Sequence, residues 1–307
     1  METRTLGPFE VPVIGIGCNN FGTRLDAEGT KAVVDAALDE GCTFFDTADV
    51  YGPRLSEEYL GQALGSRRGE VFVATKFGAP YDDEPGGGAP SYVRHACERS
   101  LERLGTDYLD LLQLHLPDPS VPIAETMGSL QALVDEGLVR SIGCSNVSAA
   151  QLVEANSTPS HARFTSVQND YSLLHRDLEA ELLAELDREG VGLLPYFPLA
   201  SGLLTGKYQK DKPLPEGTRL AAWPETRTKR WLNDAALDKV EAIRALSESA
   251  GLDMVMIAFS WLLSRPQVSC VIAGASSPAQ VKQNASSAIT LDESLVTALD
   301  ELTKPDA

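Results

Sequence analysis

The sequence predicts an α/β fold, a (β/α)8 TIM barrel with an N-terminal β-hairpin, and three observations carry that prediction. Short apolar strands alternate with amphipathic helical stretches eight times along the 307 residues. The strands end on polar residues of mixed chemistry, where packing alone would select apolar ones. No glycine fingerprint follows the first strand: Gly15 and Gly17 would need a third glycine where Asn20 stands. An open doubly wound sheet is the alternative, and it usually carries that fingerprint at its first turn. Composition does not shift along the chain, and residues 1–307 read as one barrel domain.

Residues 3–11 flank Leu6-Gly7-Pro8 and read as the hairpin, and residues 13–17 as the first core strand. Residues 26–40 place Val33, Val34, Ala37 and Leu38 at helical spacing and stop at Gly41. The second strand is the pair Phe44 and Phe45, ended by Asp46. The alternation then repeats: helix 56–64, strand 71–76, helix 91–104 opened by Ser91 as N-cap, strand 109–115. Helix 122–136 stops before Gly137 and leads to strand 141–145, helix 148–155 and strand 164–168. Helix 177–189 stops before Gly190 and leads to strand 191–196. Residues 198–231 form an insertion rich in Gly, Pro, Lys and Arg. Helices 234–250 and 253–263 precede the last strand, 270–273, and a helix after Asp292 closes the chain.

Forty-four acidic against 26 basic residues give a net charge of −18, with both signs interspersed. That charge argues against nucleic acid and anionic membrane as partners and for a cytoplasmic protein with a small-molecule substrate. The N-terminus has no apolar signal region, and no apolar run approaches the ~18 residues of a membrane span. Cys18, Cys42, Cys97, Cys144 and Cys270 are scattered without C-x-x-C spacing, which fits reduced core thiols. Four histidines without an H-x-H pair give no metal site.

In a parallel barrel all C-terminal strand ends share one mouth. Here those ends are Asn19, Asp46, Lys76, His115, Ser145, Asn146, Gln168, Tyr196 and Gly274. Asp46 ends a core strand and needs a cation, and Lys76, ending the next strand, is the candidate. Tyr51 lies in the loop above. A phenol titrates near ~10, and a neighbouring ammonium favours the phenolate and brings it toward a working pH. From these residues alone an ordinary buried ion pair reads equally well. The loop Gly202-Leu-Leu-Thr-Gly-Lys-Tyr208 is not a P-loop, yet its backbone and Lys207 suit a pyrophosphate; a plain surface loop is the other reading. Residues 79–90, with three consecutive glycines, read as a loop or a substrate-side flap, and Trp223 and Trp231 as pocket shields or loop anchors.

Several separated motifs resemble the aldo-keto reductases: Phe-Asp-Thr-Ala-Asp-Val-Tyr-Gly at 45–52, Ala-Thr-Lys at 74–76, Leu-Asp-Leu-Leu-Gln-Leu-His at 109–115 and Ile-Gly-Cys-Ser-Asn at 142–146. The stretches at 167–174, 196–208 and 272–280 extend the resemblance over most of the chain. It implies a nicotinamide cofactor, NADP(H) with NAD(H) as the alternative, lying across the barrel mouth. It implies Asp46, Tyr51, Lys76 and His115 as a catalytic tetrad, with Tyr51 giving its proton to the carbonyl oxygen and His115 orienting it. Ser145, Asn146 and Gln168 would bind the carboxamide, and Tyr196 would stack on the ring. Lys207 and the chain through Leu199, Ser201 and Leu203 would grip the pyrophosphate. Gly274, Ser276, Gln280, Gln283 and Asn284 would lie at the adenosine end. No cation stands on that last stretch, where many members carry one, so Arg219 is the expected source, with Lys229 and Arg230 behind it. The resemblance implies reduction of a small aldehyde or ketone, with a sugar or polyol dehydrogenase and a cofactor-binding regulatory subunit as alternatives. A second departure is Gly52-Pro53-Arg54, where the family usually writes Gly-x-Gly after the tyrosine.

Overall fold

The structure, a computed structural model, describes residues 1–82, 84, 86–210, 212–229 and 231–305. β1 (Thr3–Leu6) and β2 (Phe9–Pro12) pair antiparallel, with Leu6 opposite Phe9. Gly7 turns between them at φ +57°, and a Cβ there would come within 2.9 Å of the Thr165 side chain. Both the left-handed backbone and the close approach require glycine.

Eight parallel strands follow: β3 (Ile14–Gly17), β4 (Phe44–Asp46), β5 (Phe72–Phe77), β6 (Leu111–Leu114), β7 (Ile142–Ser145), β8 (Phe164–Gln168), β9 (Gly192–Leu193) and β10 (Val271–Gly274). They hydrogen-bond in the order β10-β3-β4-β5-β6-β7-β8-β9. The ring closes through a parallel bridge of Leu193 to Val268 and the Ile272 amide, which donates to the Pro195 carbonyl at 3.1 Å.

Side chains alternate in and out along a strand, so residues two apart face the same side. Phe44, Ala74, Leu111, Leu194, Cys270 and Ile272 meet inside the barrel, and Leu6 and Val11 of the hairpin pack into the same cluster. The hairpin therefore plugs the lower end. Two residues further along their strands come Asp46, Lys76 and Gln113, an inward polar layer directly above the apolar one. The outward residues Phe45, Val73, Leu112 and Val167 pack against the helices instead.

The outer helices are α1 (Ala27–Asp39), α2 (Leu55–Leu64), α3 (Pro90–Leu104), α4 (Ile123–Asp135), α5 (Ala149–Asn156), α6 (Leu182–Glu189), α7 (Glu225–Thr228), α8 (Asp234–Ala250), α9 (Met254–Leu263), α10 (Pro278–Ser286) and α11 (Glu293–Leu302). Four of these helices and one strand differ from the sequence reading or were not in it. α3 starts at Pro90 with Ala89 as its N-cap, because proline's fixed φ suits the first helical position; Ser91 lies inside the first turn. Residues 177–189 split at Glu181, whose φ of −137° is not helical. The turn before the split is held by Arg176, which grips Glu179 and reaches the Asp300 carbonyl and Thr303 on the last helix. β9 keeps two residues of the expected six, since Pro195 has no N–H for the ladder, and Tyr196 rejoins the sheet only as a bridge to Asp170. α10 was not anticipated, although Ser277 caps it and Pro278 opens it. The insertion contains α7 and a 3-10 turn over Ala200–Thr205.

Among the described residues no single helix is long and apolar enough to cross a membrane; α8 and α9 reach the length only together and meet at 94°. The five cysteines are buried free thiols.

Candidate active site

The floor of the cleft is a buried, hydrogen-bonded ion pair. Lys76 Nζ donates to Asp46 Oδ2 at 2.7 Å, to the Thr47 carbonyl at 2.8 Å and to the Tyr51 hydroxyl at 3.4 Å. The other carboxylate oxygen, Asp46 Oδ1, accepts from Gln168 Nε2 at 2.7 Å and Gln113 Nε2 at 3.2 Å. Lys76 is fully buried and Asp46 nearly so. Removing one partner of such a pair leaves an uncompensated buried charge, at a cost of about 3–5 kcal/mol.

Protonation states follow from burial and charge. Burial works against the Lys76 ammonium, yet Asp46 and Tyr51 outweigh it and hold its pKa above the usual value. Burial pushes the Tyr51 phenol up, Lys76 pulls it down and Asp46 adds to the rise; the net direction is upward. The sequence led to the opposite expectation, because a one-dimensional reading counts the ammonium and not the depth. Tyr51 is accordingly a protonated acid at ordinary pH. His115 lies edge-on to it, ring centroids 5.9 Å apart at 79°. Burial, with Lys76 second, drives the imidazole pKa down to about 3, so this ring is neutral.

Above the floor the wall is a hydrogen-bonded chain. Ser145 Oγ donates to the Gln168 carbonyl at 2.7 Å, Asn146 Nδ2 to the His115 carbonyl at 3.0 Å, and the Tyr196 hydroxyl to Asn146 Oδ1 at 2.7 Å. Asn146 holds this position in a left-handed conformation, φ 60°.

Asp46, Tyr51, His115, Ser145, Asn146, Gln168 and Tyr196 line one cleft of about 580 Å³, with Lys76 and Gln113 behind its wall. The cleft continues past Leu199, Ser201, Lys207 and Arg219 to Gly274, Ser276, Gln280, Gln283 and Asn284. Every predicted binding residue but one lines it. Leu203 is the exception: its side chain is fully buried in the core behind the turn. Arg219 arrives as expected, with Nη2 at 3.8 Å from where a Cβ on Gly274 would sit. Lys229 pairs instead with Glu225 at 2.9 Å on the surface, and Arg230 lies outside the described residues. The turn carrying Ser201 is strained: Phe197, Ala200 and Ser201 have positive φ of 53°, 46° and 57°. Such residues cost on the order of 1–3 kcal/mol each and cluster where a backbone is held for a purpose.

Two contributors were missed. Gln113 sits two residues before His115, on the same strand face, and that spacing was its signal. Arg24 lines the cleft from the loop after β3, seven residues past the strand end at Gly17. The flap over residues 79–90 does not line the cleft in any described residue. It is tied to the loop beyond Tyr51 by Arg54 and Glu84 at 2.9 Å, with the guanidinium over the Tyr81 ring. Arg54, at φ 69°, stands where the family pattern has its second glycine. Trp231 packs edge-on against Phe197, a cleft residue, and so acts as an anchor one layer back.

A closed (β/α)8 barrel whose mouth joins a protonated phenol, a paired lysine and a neutral histidine at the end of a long polar cleft has the build of a barrel oxidoreductase. The model of the Aldo/keto reductase family matches residues 13–304. A probable voltage-gated potassium channel subunit beta of Arabidopsis thaliana is 33% identical over 297 residues, covering 92% of this chain and 90% of the relative. The holo form of an aldo-keto reductase from Bacillus halodurans superposes with a TM-score of 0.82 at 30% identity, over 99% of this chain and 97% of that one. A glycerol dehydrogenase from Gluconobacter oxydans superposes with a TM-score of 0.83 at 27% identity, over 98% and 94%. The chain belongs to the aldo/keto reductase family, whose members are generally NAD(P)H-dependent oxidoreductases.

The residues present fit a nicotinamide dinucleotide. The cleft falls within the roughly 300–1,000 Å³ typical of ligand sites. Among the described residues His115 Nδ1, Asn19 Oδ1 and Ser201 Oγ are buried without a hydrogen-bond partner, and all three side chains line it. A buried polar atom left unsatisfied is costly, so three along one cleft mark where a polar ligand belongs.

Proposed function

We propose that the protein reduces a small aldehyde or ketone to the alcohol with NADPH as the preferred cofactor, NADH serving less well, in the cytoplasm. The observation that carries this reading is the Tyr51 phenol, kept protonated by burial and held 3.4 Å from the Lys76 ammonium beside a neutral imidazole. The bound nicotinamide supplies hydride. Tyr51 gives its proton to the carbonyl oxygen as negative charge develops there, and the Lys76 ammonium stabilises the phenolate left behind. Asp46 keeps Lys76 charged and fixed, with Gln113 and Gln168 holding Asp46. His115, neutral above about pH 3, positions the carbonyl without competing for the proton. Ser145, Asn146 and Gln168 hold the carboxamide and Tyr196 presents the ring face. Leu199, Ser201, Lys207 and Arg219 meet the phosphates, and Gly274, Ser276, Gln280, Gln283 and Asn284 the adenosine.

The NADPH preference rests on Arg219 beside Gly274, since Ser276 Oγ and its amide are already committed to Gln280 Oε1. A panel of carbonyls and alcohols followed at the nicotinamide absorbance tests the reading; activity confined to polyol oxidation would replace it. The glycerol dehydrogenase likeness favours that oxidative reading, and the potassium channel relative favours a regulatory, cofactor-binding subunit. Tight NADPH binding with no turnover on any carbonyl would select the regulatory reading.

A further inference from the structure

The inward row of the barrel at the level of Lys76 is polar, where a parallel barrel usually packs bulky branched side chains. In register across neighbouring strands stand Lys76, Gln113, Gly143, Ser166 and Gly192. An irregularity in β8 puts Ser166 there. Ile142 pairs with Phe164 but Gly143 pairs with Ser166, so Thr165 is one residue more than β7 has to oppose it. That extra residue resets the alternation, turning Ser166 and Gln168 inward and Val167 out to the helices.

Two polar atoms in this row are unmet. Gln113 and Ser166 are fully buried, and among the described residues Gln113 Oε1 and Ser166 Oγ have no hydrogen-bond partner. The Gln113 amide cannot turn round, because Asp46 Oδ1 accepts from its Nε2 at 3.2 Å and an ionised carboxylate only accepts. Its oxygen is therefore held away from Asp46. Both side chains converge over Gly143, where a Cβ would lie 2.2 Å from Ser166 Oγ and 3.2 Å from Gln113 Cγ. Any larger residue at 143 would push them aside. A buried acceptor and a buried hydroxyl left unmet cost about 1–3 kcal/mol each, and one water between them relieves both.

We propose that a single water molecule is bound between Gln113 Oε1 and Ser166 Oγ, and that Ser166 acts through it as a positioning residue for Asp46. Neither side chain lines the cleft. The chain of contacts then runs from Ser166 through the water and the Gln113 amide to Asp46, Lys76 and the Tyr51 hydroxyl. With Gln113 fixed, its N–H stays on Asp46 Oδ1, and the carboxylate is shared among Gln113, Gln168 and Lys76. This deepens the reductase reading above, and its kinetic part rests on that reading.

A crystal structure that shows ordered solvent tests the site without any turnover. Density for a water within hydrogen-bond distance of both atoms is expected; a direct bond between Gln113 and Ser166, or a dry gap, would overturn it. The role is tested with Ser166→Ala and Gln113→Met, singly and together, in carbonyl reduction. Ser166→Ala should lower kcat about fivefold, the net worth of one hydrogen bond, with the NADPH Kd and the melting curve unchanged. In the Gln113→Met background the same change should cost nothing further, since its route to Asp46 is gone. Equal losses in both backgrounds, or a loss shared by kcat and NADPH affinity, would make Ser166 merely structural and overturn the role. Wild type that binds NADPH and reduces no carbonyl would sink the reductase reading and the role with it, while the density still decides the water.

Discussion

The two ends of the cleft handle positive charge in opposite ways. At the floor, Lys76 is fully buried, paired and hydrogen-bonded on three sides. At the other end, Lys207 and Arg24 stand without carboxylates among the described residues, and burial, then Arg219 and Arg24, lower the Lys207 pKa. A charge that must never change is supplied with its counter-ion by the fold. A charge meant for a ligand is left for the ligand to neutralise. The first arrangement costs desolvation once, at folding, and the second stores repulsion until something binds.

The largest way to break the contrast is at the floor. Tyr51→Phe should lower kcat for carbonyl reduction by about 10²–10⁴, the usual worth of a positioned acid, with NADPH affinity within a few fold. Lys76→Met should lose comparable activity and also stability, since Asp46 would be left buried and unpaired, worth about 3–5 kcal/mol. Stopped-flow reduction and thermal melts read both. A Tyr51→Phe enzyme with most of its kcat would mean that the proton comes from elsewhere.

Asp49 sharpens the comparison as a buried charge near the floor with incomplete pairing. Its Oδ1 has no hydrogen-bond partner among the described residues, and burial, then Glu57, raise its pKa to about 7, against the pull of Arg103 and Arg54. With the folded pKa above the unfolded one, its stabilising contribution is complete below about pH 4 and is lost as pH rises through about 7. Asp49→Asn should therefore gain stability over wild type between pH 5 and pH 8, by roughly 3 kcal/mol for the two pH units between 5 and 7. Denaturant melts at the two pH values decide it, and a constant difference would show that Asp49 is already ionised. His115 runs the other way: its lowered pKa gives stability present above about 6.5 and lost as pH falls toward about 3.

At the phosphate end the effect is smaller and selective. Arg219→Ala should reduce an NADPH preference of about 10–100-fold, equivalent to ~1.4–2.7 kcal/mol, by weakening NADPH with NADH nearly unchanged. Fluorescence titration of both cofactors checks it, and tighter NADH binding by wild type would reverse the preference. The smallest effect expected is none: reduction measured as kcat should be flat from about pH 5 to 9, because His115 titrates below that window and Tyr51 above its ordinary ~10. A step near pH 7 would implicate Asp49 in the chemistry.

The barrel was legible because the alternation of short apolar strands with helices is written into the chain. The floor was legible because Asp46, Lys76 and His115 fall at strand ends, where topology alone brings them together. What stayed hidden depended on depth and on crossing the cleft. The rise in the Tyr51 pKa comes from burial, which no spacing reports. Gln113 looked like one more residue of an apolar strand until the pitch of β6 turned it toward Asp46. Arg24 stands in a polar loop, and only closure of β10 against β3 brings that loop beside Arg219 and Lys207. The Leu203 side chain lies in the core beyond the kink at Ser201 and Gly202, so a part for Leu203 at the cleft falls to its backbone.

The hairpin beneath the barrel has a kinetic consequence. With Leu6 and Val11 seated among Phe44, Leu111 and Ile272, the hairpin closes the lower end of the barrel and the cleft opens at the mouth. Whatever lies deepest must arrive first and depart last. If the nicotinamide sits against Tyr196 and Asn146, a carbonyl compound enters after it and the alcohol leaves before it. Turnover at saturation would then be set by how fast the spent dinucleotide lets go of the cations at the rim, far from the hydroxyl of Tyr51.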